Sequence, residues 1–329
     1  MDMEEALLQA IQDNPSDWTP WLILADWFEE HNDPQRAEIL RLQYILGQAA
    51  TTAERPLQEE RLCQLLRKGV RFCMPVRTNS IGMRLTLVPA GTFLMGSRPR
   101  YCTGGRNEHP HEVEITQPFY AGIYPVTQEQ YQRVMGQNPS RFSSTGRDKD
   151  KVKGMDTRSF PVECVNWDEA ADFCRRLSQL PDGKIHEHLY RLATEAEWEY
   201  ICRGGPFLKT IFSAPDSGNH LDLNHNPPFD GYPKRPTKVG SYPPNLLGLY
   251  DLLGNVWEWC ADWFEAEYYK RSPRQDPQGP ETGKCRVLRG GSWICDSRSC
   301  RPAYRNDGVP SSRNGSFGFR VVLVASVRT

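Results

Sequence analysis

Arg289-Gly290-Gly291-Ser292-Trp293-Ile294-Cys295-Asp296-Ser297-Arg298-Ser299-Cys300 puts two cysteines five positions apart, after a Gly-Gly pair and a tryptophan of buried character. Glycine opens backbone conformations closed to other residues, so the stretch reads as a loop able to carry side chains into a site. Two thiolates within reach of each other can form a disulfide, hold a soft metal ion or exchange with a substrate thiol. On spacing alone, two buried structural cysteines are an equal reading.

The rest of the chain bounds these choices. Its 329 residues suffice for one large domain, or a large one and a small one. Charged residues at 25% and aromatics at 11% mark a folded chain rather than a disordered one. A net charge of -1 argues against a protein that coats nucleic acid. Ten cysteines are too few for a disulfide-stapled secreted scaffold. The start Met1-Asp2-Met3-Glu4-Glu5 lacks the basic and apolar regions of a signal peptide. No stretch approaches the ~18–20 apolar residues that span a bilayer. These features predict a soluble, cytoplasmic monomer with reduced thiols and neither a nucleic-acid nor a membrane partner.

Upstream, residues 1–50 read as three short helices. Ala6, Leu7, Leu8, Ala10 and Ile11 form an apolar face that Asn14-Pro15-Ser16-Asp17 ends. Thr19-Pro20 reads as an N-cap followed by a first-turn proline, and Asp33-Pro34 repeats the device. The run Leu24-Ala25-Asp26-Trp27-Phe28-Glu29-Glu30, followed by Asp33-Pro34-Gln35-Arg36-Ala37-Glu38, resembles a short companion domain of planctomycete proteins. That resemblance implies modularity and leaves docking and stabilising roles equally open. Residues 51–75 read as a connector, with Thr51-x-x-Glu54 and Leu57, Leu62, Leu65 and Leu66 suggesting a bridging helix.

From residue 76 to 329 the texture becomes short apolar runs broken by Gly and Pro. Met83–Pro89 alternates as a strand, Gly91–Ser97 reads as its hairpin partner, and Glu112–Ile115 is another strand. Three capping boxes announce helices: Thr127 with Gln130, Asn166 with Glu169, and Thr194 with Glu197. Residues 205–245 have no sustained period and read as a long loop held by something such as an ion.

Several motifs now stand in order. They are Gly82–Gly96, Tyr124-Pro125-Val126-Thr127, Pro161–Trp167, Arg191–Tyr200, Gly254-Asn255-Val256-Trp257-Glu258-Trp259, Arg289–Ser292 and Phe317-Gly318-Phe319-Arg320. Together they resemble the formylglycine-generating enzyme (sulfatase-modifying factor) family. The resemblance implies an α+β, C-type-lectin-like fold with little regular secondary structure, here preceded by a small helical bundle. It also implies an enzyme that uses O2 and Cu(I) to oxidise a cysteine of an unfolded sulfatase, in a Cys-x-Pro-x-Arg motif, to Cα-formylglycine. By resemblance, Cys295 and Cys300 hold copper, Ser292 hydrogen-bonds near oxygen and Trp257 walls the pocket. A linear dithiolate suits soft Cu(I) and leaves room for a third sulfur.

The same resemblance implies structural calcium at Asp251 to Glu258, through the Asp251 and Glu258 side chains and the Gly254 and Val256 carbonyls. Hard Ca²⁺ takes such oxygen ligands. Asn224, His225, Asp230 and Tyr232 match a second calcium site. Two other readings stand beside the oxidase. One is a non-catalytic binding module, suggested by Ser299 where the enzymes carry an aromatic residue and by the tail Arg301–Arg305. The other is an iron-dependent sulfoxide-synthase-like oxygenase, for which His109/His111 and His186/His188 lack the required cluster. Cys174 and Cys202 match structural cysteines of secreted members, whose partners are replaced by Arg305 and Val321.

Overall fold

The chain is described from a computed structural model that covers residues 2–47, 53–70, 73–97, 108–180, 188–207, 234–296 and 298–325. Four helices come first: α1 (Met3–Asp13), α2 (Thr19–Glu30), α3 (Pro34–Gly47) and α4 (Arg55–Arg67). Helix α2 begins at Thr19 with Trp18 in the cap position, so Pro20 falls on the second helical residue. Asp17 Oδ1 accepts the Thr19 N–H at 2.9 Å and does the capping that Thr19 was expected to do. Asp33 caps α3 through the Arg36 N–H at 3.2 Å, as its sequence predicts. Helix α4 packs on α3, so the stretch read as a connector holds the bundle's fourth helix.

Eleven strands follow among the described residues. They are β1 (Val76–Thr78), β2 (Arg84–Val88), β3 (Gly91–Met95), β4 (His111–Ile115), β5 (Phe119–Gly122), β6 (His188–Leu192), β7 (Trp257–Trp263), β8 (Arg286–Arg289), β9 (Asn306–Gly308), β10 (Phe317–Gly318) and β11 (Val321–Ala325). One antiparallel sheet has the order β1-β2-β5-β11-β6, with the C-terminal β11 inserted between β5 and β6. A second has the order β10-β7-β8-β9, and among the described residues β3 pairs only with β4. The expected β2–β3 hairpin is therefore corrected: β2 pairs with β1 and β5 instead. Pro89 carries no N–H to extend a ladder, and the chain there crosses from one sheet to the other.

Helices α5 (Gln128–Met135), α6 (Trp167–Leu177) and α7 (Glu195–Cys202) begin at the three expected capping boxes, each with both reciprocal hydrogen bonds. Helix α7 is buried along its whole length, which brings Glu195, Glu197 and Glu199 into the interior. One buried apolar cluster runs from Ile11, Trp21 and Phe28 of the bundle through Leu85, Trp198 and Trp259 to Leu323. Among the described residues no helix is long and apolar enough to cross a membrane. The mixed sheets and helices, with much irregular chain between them, make the α+β architecture that the sequence leads one to expect.

Candidate active site

Strand β8 ends at Arg289, and the chain turns through Gly290 (φ 96°) and Gly291 (φ 77°). The left-handed conformation is costly for residues with a Cβ, and at Gly291 a Cβ would also collide with the Cys300 sulfur. Cys300 therefore rests directly on the glycine backbone. The loop closes back on itself through Cys295 N–H to the Ser292 carbonyl at 2.9 Å and Ser299 N–H to the Asp296 carbonyl at 3.1 Å.

Both thiols meet at Ser292. Its Oγ lies 3.3 Å from Cys295 Sγ, and its backbone faces the Cys300 sulfur, where it favours the thiolate. Burial first, and the nearby Cys295 second, push the Cys300 thiol up to about 12. Cys300 is buried whereas Cys295 is half-buried, so the pair has a closed end and an open one. Two sulfurs with one side accessible fit a soft monovalent cation, whose charge would offset what burial costs a thiolate.

Trp257 and Tyr304 lie side by side with ring centroids 5.9 Å apart, and Trp257 is buried at the start of β7. On the other flank the Trp293 indole donates to the Gly315 carbonyl at 3.0 Å and meets Phe142 edge-on at 5.4 Å. Ile294, between Trp293 and Cys295, is 58% exposed. An exposed isoleucine beside two thiols gives an incoming chain apolar surface to cover.

Under the loop lies a run of buried ion pairs. Arg289 donates to the Tyr304 carbonyl (2.6 Å), the Pro302 carbonyl (2.7 Å) and the Glu199 carboxylate. Glu199 also accepts from the Gly96 N–H at 2.8 Å and pairs with Arg203. Burial acts to raise the Glu199 carboxyl, but Arg203 and Arg289 hold it below its ordinary value. Arg305 grips Glu195 through both carboxylate oxygens at 2.7 and 2.8 Å. Arg305, which by resemblance stands where secreted members carry a cysteine, is thus held in an ion pair. All described cysteines are free thiols.

The Asp251–Glu258 turn sits beside this assembly, its Gly254 N–H bonded to the Gly290 carbonyl at 2.8 Å. Asp251 (φ 58°) and Asn255 (φ 60°) adopt the left-handed conformation. Asp251 Oδ2 accepts from the Gly240 N–H at 2.8 Å, but its buried Oδ1 has no partner. Burial pushes this carboxyl to about 6. Such an orphaned oxygen fits a hard cation. Glu258 is engaged differently: it takes Arg320 on both oxygens (3.1 and 2.9 Å) and the Trp198 indole at 2.8 Å. A cation here would find one Asp251 oxygen without a hydrogen bond and Glu258 already engaged by Arg320 and Trp198.

The structure thus brings Cys295, Cys300 and Ser292 together, places Trp257 against the Tyr304 that follows them, and sets Asp251, Gly254, Val256 and Glu258 in one turn. Asn224, His225, Asp230 and Tyr232 lie outside the described residues, as does His186. His111 belongs to β4 and packs on Tyr269 with centroids 4.7 Å apart. No group of three or more His, Cys, Asp or Glu disposed to hold a metal occurs among the described residues. Sequence alone assigns no role to Arg289, Glu199 or Tyr304. An arginine immediately before a Gly-Gly turn is the available signal for the first.

Residues 75–325 match the sulfatase-modifying factor enzyme 1-like domain. Among similar proteins, a formylglycine-generating enzyme of Streptomyces coelicolor is 41% identical over 49% of this chain and 51% of its own length. The serine/threonine-protein kinase pkn1 of Chlamydia caviae is 33% identical over 74% of this chain and 38% of its own. The chain thus spans about half or less of these two relatives. The structure of PvdO from Pseudomonas aeruginosa superposes with a TM-score of 0.61 at 27% identity, covering 75% of this chain and 97% of that one. With the dithiol loop, the capping boxes and the buried α7 all inside the matched span, the chain belongs to the sulfatase-modifying factor enzyme 1-like family.

Proposed function

We propose that the chain generates Cα-formylglycine, oxidising a cysteine within a Cys-x-Pro-x-Arg segment of an unfolded sulfatase with O2. The observation that carries this reading is the convergence of Cys295 and Cys300 on Ser292. Cys295 and Cys300 would hold Cu(I), which when bound supplies affinity for a third thiol and one-electron chemistry toward oxygen. The chain's own residues do the rest. Ile294 and Trp293 seat the incoming segment, Trp257 and Tyr304 keep water from the buried end, and the Ser292 hydroxyl offers a hydrogen bond beside the half-buried sulfur. Gly291 lets the Cys300 sulfur sit at full depth. Conversion of CH2SH to CHO with loss of sulfide removes two electrons, whereas O2 reduced to water takes four, so an external thiol must supply the remainder. Calcium is proposed as a structural ion at Asp251, and a reducing cytoplasm as the compartment suits nine free described thiols.

The test is Cu(I) titration against a chromogenic chelator, followed by oxygen-dependent conversion of a Cys-x-Pro-x-Arg peptide with a thiol reductant present. Stoichiometric Cu(I) binding and aldehyde formation are expected in the wild type, both lost in Cys295→Ala. Absent binding, or equal turnover in that variant, would sink the oxidase. A second reading, a binding module of the same fold, is favoured by Ser299 and by the similarity to part of a protein named as a kinase. It predicts peptide binding without turnover and without dependence on Cys295.

A further inference from the structure

We propose that Arg289 is a positioning residue that closes the thiol loop and sets the reach of Cys295 and Cys300. The inference rests on reading those two cysteines as a working pair. The backbone of Arg289 leads straight into Gly290 and Gly291, the surface on which the Cys300 sulfur lies. Its side chain reaches the other end of the loop, holding the Pro302 and Tyr304 carbonyls two and four positions beyond Cys300. One residue thereby fixes both the floor under the buried thiol and the turn that follows it. Without that closure, the segment from 289 to 304 gains chain entropy and the two sulfurs lose their fixed separation.

The clamp is itself held. Glu199 of α7 meets the same guanidinium, both side chains are fully buried, and Glu199 is fixed in turn by the Gly96 N–H and Arg203. The planar fork reaches these acceptors from two nitrogens, Nη1 to the Tyr304 carbonyl and Nη2 to the Pro302 carbonyl and Glu199; an ammonium has three donors but on a single atom, and cannot span the same spacing. Arg305 is the natural comparison. It is similarly buried and similarly paired, to Glu195, but it also donates to the Glu265 and Ala266 carbonyls, which lie outside the thiol loop.

The test uses phenylarsine oxide, which joins two neighbouring thiols with release of one water, on the full chain, with the adduct mapped by mass spectrometry. The wild type is expected to form a bridged Cys295–Cys300 adduct. Arg289→Lys should weaken its formation by about tenfold or more, while Arg305→Lys stays within about twofold, at comparable losses of thermal midpoint. Equal affinity in Arg289→Lys, or an equal loss in Arg305→Lys, would overturn the clamp. If lysine is not accommodated, Arg289→Gln replaces it, and failure of both to fold assigns Arg289 to global stability and overturns the proposal. A wild type that forms only single-thiol adducts also overturns it. A wild type that bridges the arsenical but binds no Cu(I) removes the copper reading and leaves the clamp standing.

Discussion

At Gly291 two constraints fall on one residue: a left-handed backbone and the Cys300 sulfur where a Cβ would go. Gly248 shares the first constraint (φ 73°) without the second, because nothing lies within 4 Å of the place its Cβ would take. Alanine at either site should cost roughly 1–2 kcal/mol of stability from the backbone alone. Gly291→Ala should in addition displace the buried thiol, so Cu(I) affinity collapses there while Gly248→Ala binds normally. Unfolding midpoints and Cu(I) titrations of the two variants decide the matter. Equal Cu(I) affinity in both would mean that Cys300 does not need its present seat.

Among the elements, helix starts were the most legible part of the chain. Thr127, Asn166 and Thr194 each carry a glutamine or glutamate three residues on, a local signal fulfilled by local hydrogen bonds. Strand partners were not legible, because β2 and β3 look like a hairpin until long-range pairing with β5 and β4 decides otherwise. The thiol loop was legible as a pair of cysteines, but Arg289 and Glu199 meet across 90 positions and leave no periodic trace. The Asp251–Glu258 turn lies between these cases, since its acids are visible in sequence but the capture of Glu258 by Arg320 is not.

That turn yields a pH-dependent expectation. With its carboxyl raised to about 6, Asp251 keeps a proton in the folded chain that the unfolded chain has already lost. Stability contributed here is therefore present at low pH and drains away as pH rises between about 4 and 6. Calcium competes with that proton, so its stabilisation should be small near about pH 5 and fully developed near about pH 7.5. Asp251→Asn should abolish the calcium response and flatten the pH profile. Thermal midpoints with calcium and with chelator, at both pH values, measure this. A response of equal size at both, or one surviving in Asp251→Asn, would remove the ion from this turn.

Taken whole, the molecule is less modular than its sequence suggests. Arg55 of α4 is buried against Glu59 at 2.9 Å and donates to the Pro206 carbonyl at 2.8 Å, just past α7. Gln43 of α3 reaches the Met74 sulfur, and Arg77 of β1 reaches Gln12 of α1 at 3.3 Å. These contacts, together with the continuous apolar cluster, make the bundle a wall of the same core. Calorimetry of the full chain should accordingly show one unfolding transition, with calorimetric and van't Hoff enthalpies in agreement. Arg55→Ala removes one partner of a buried ion pair and should lower that single transition by roughly 3–5 kcal/mol. A wild type that melts in two steps, with Arg55→Ala moving only one of them, would restore the view of two independent domains. A single transition lowered as a unit would instead mean that the bundle stabilises the very helix, α7, on which Glu199 and the thiol loop depend.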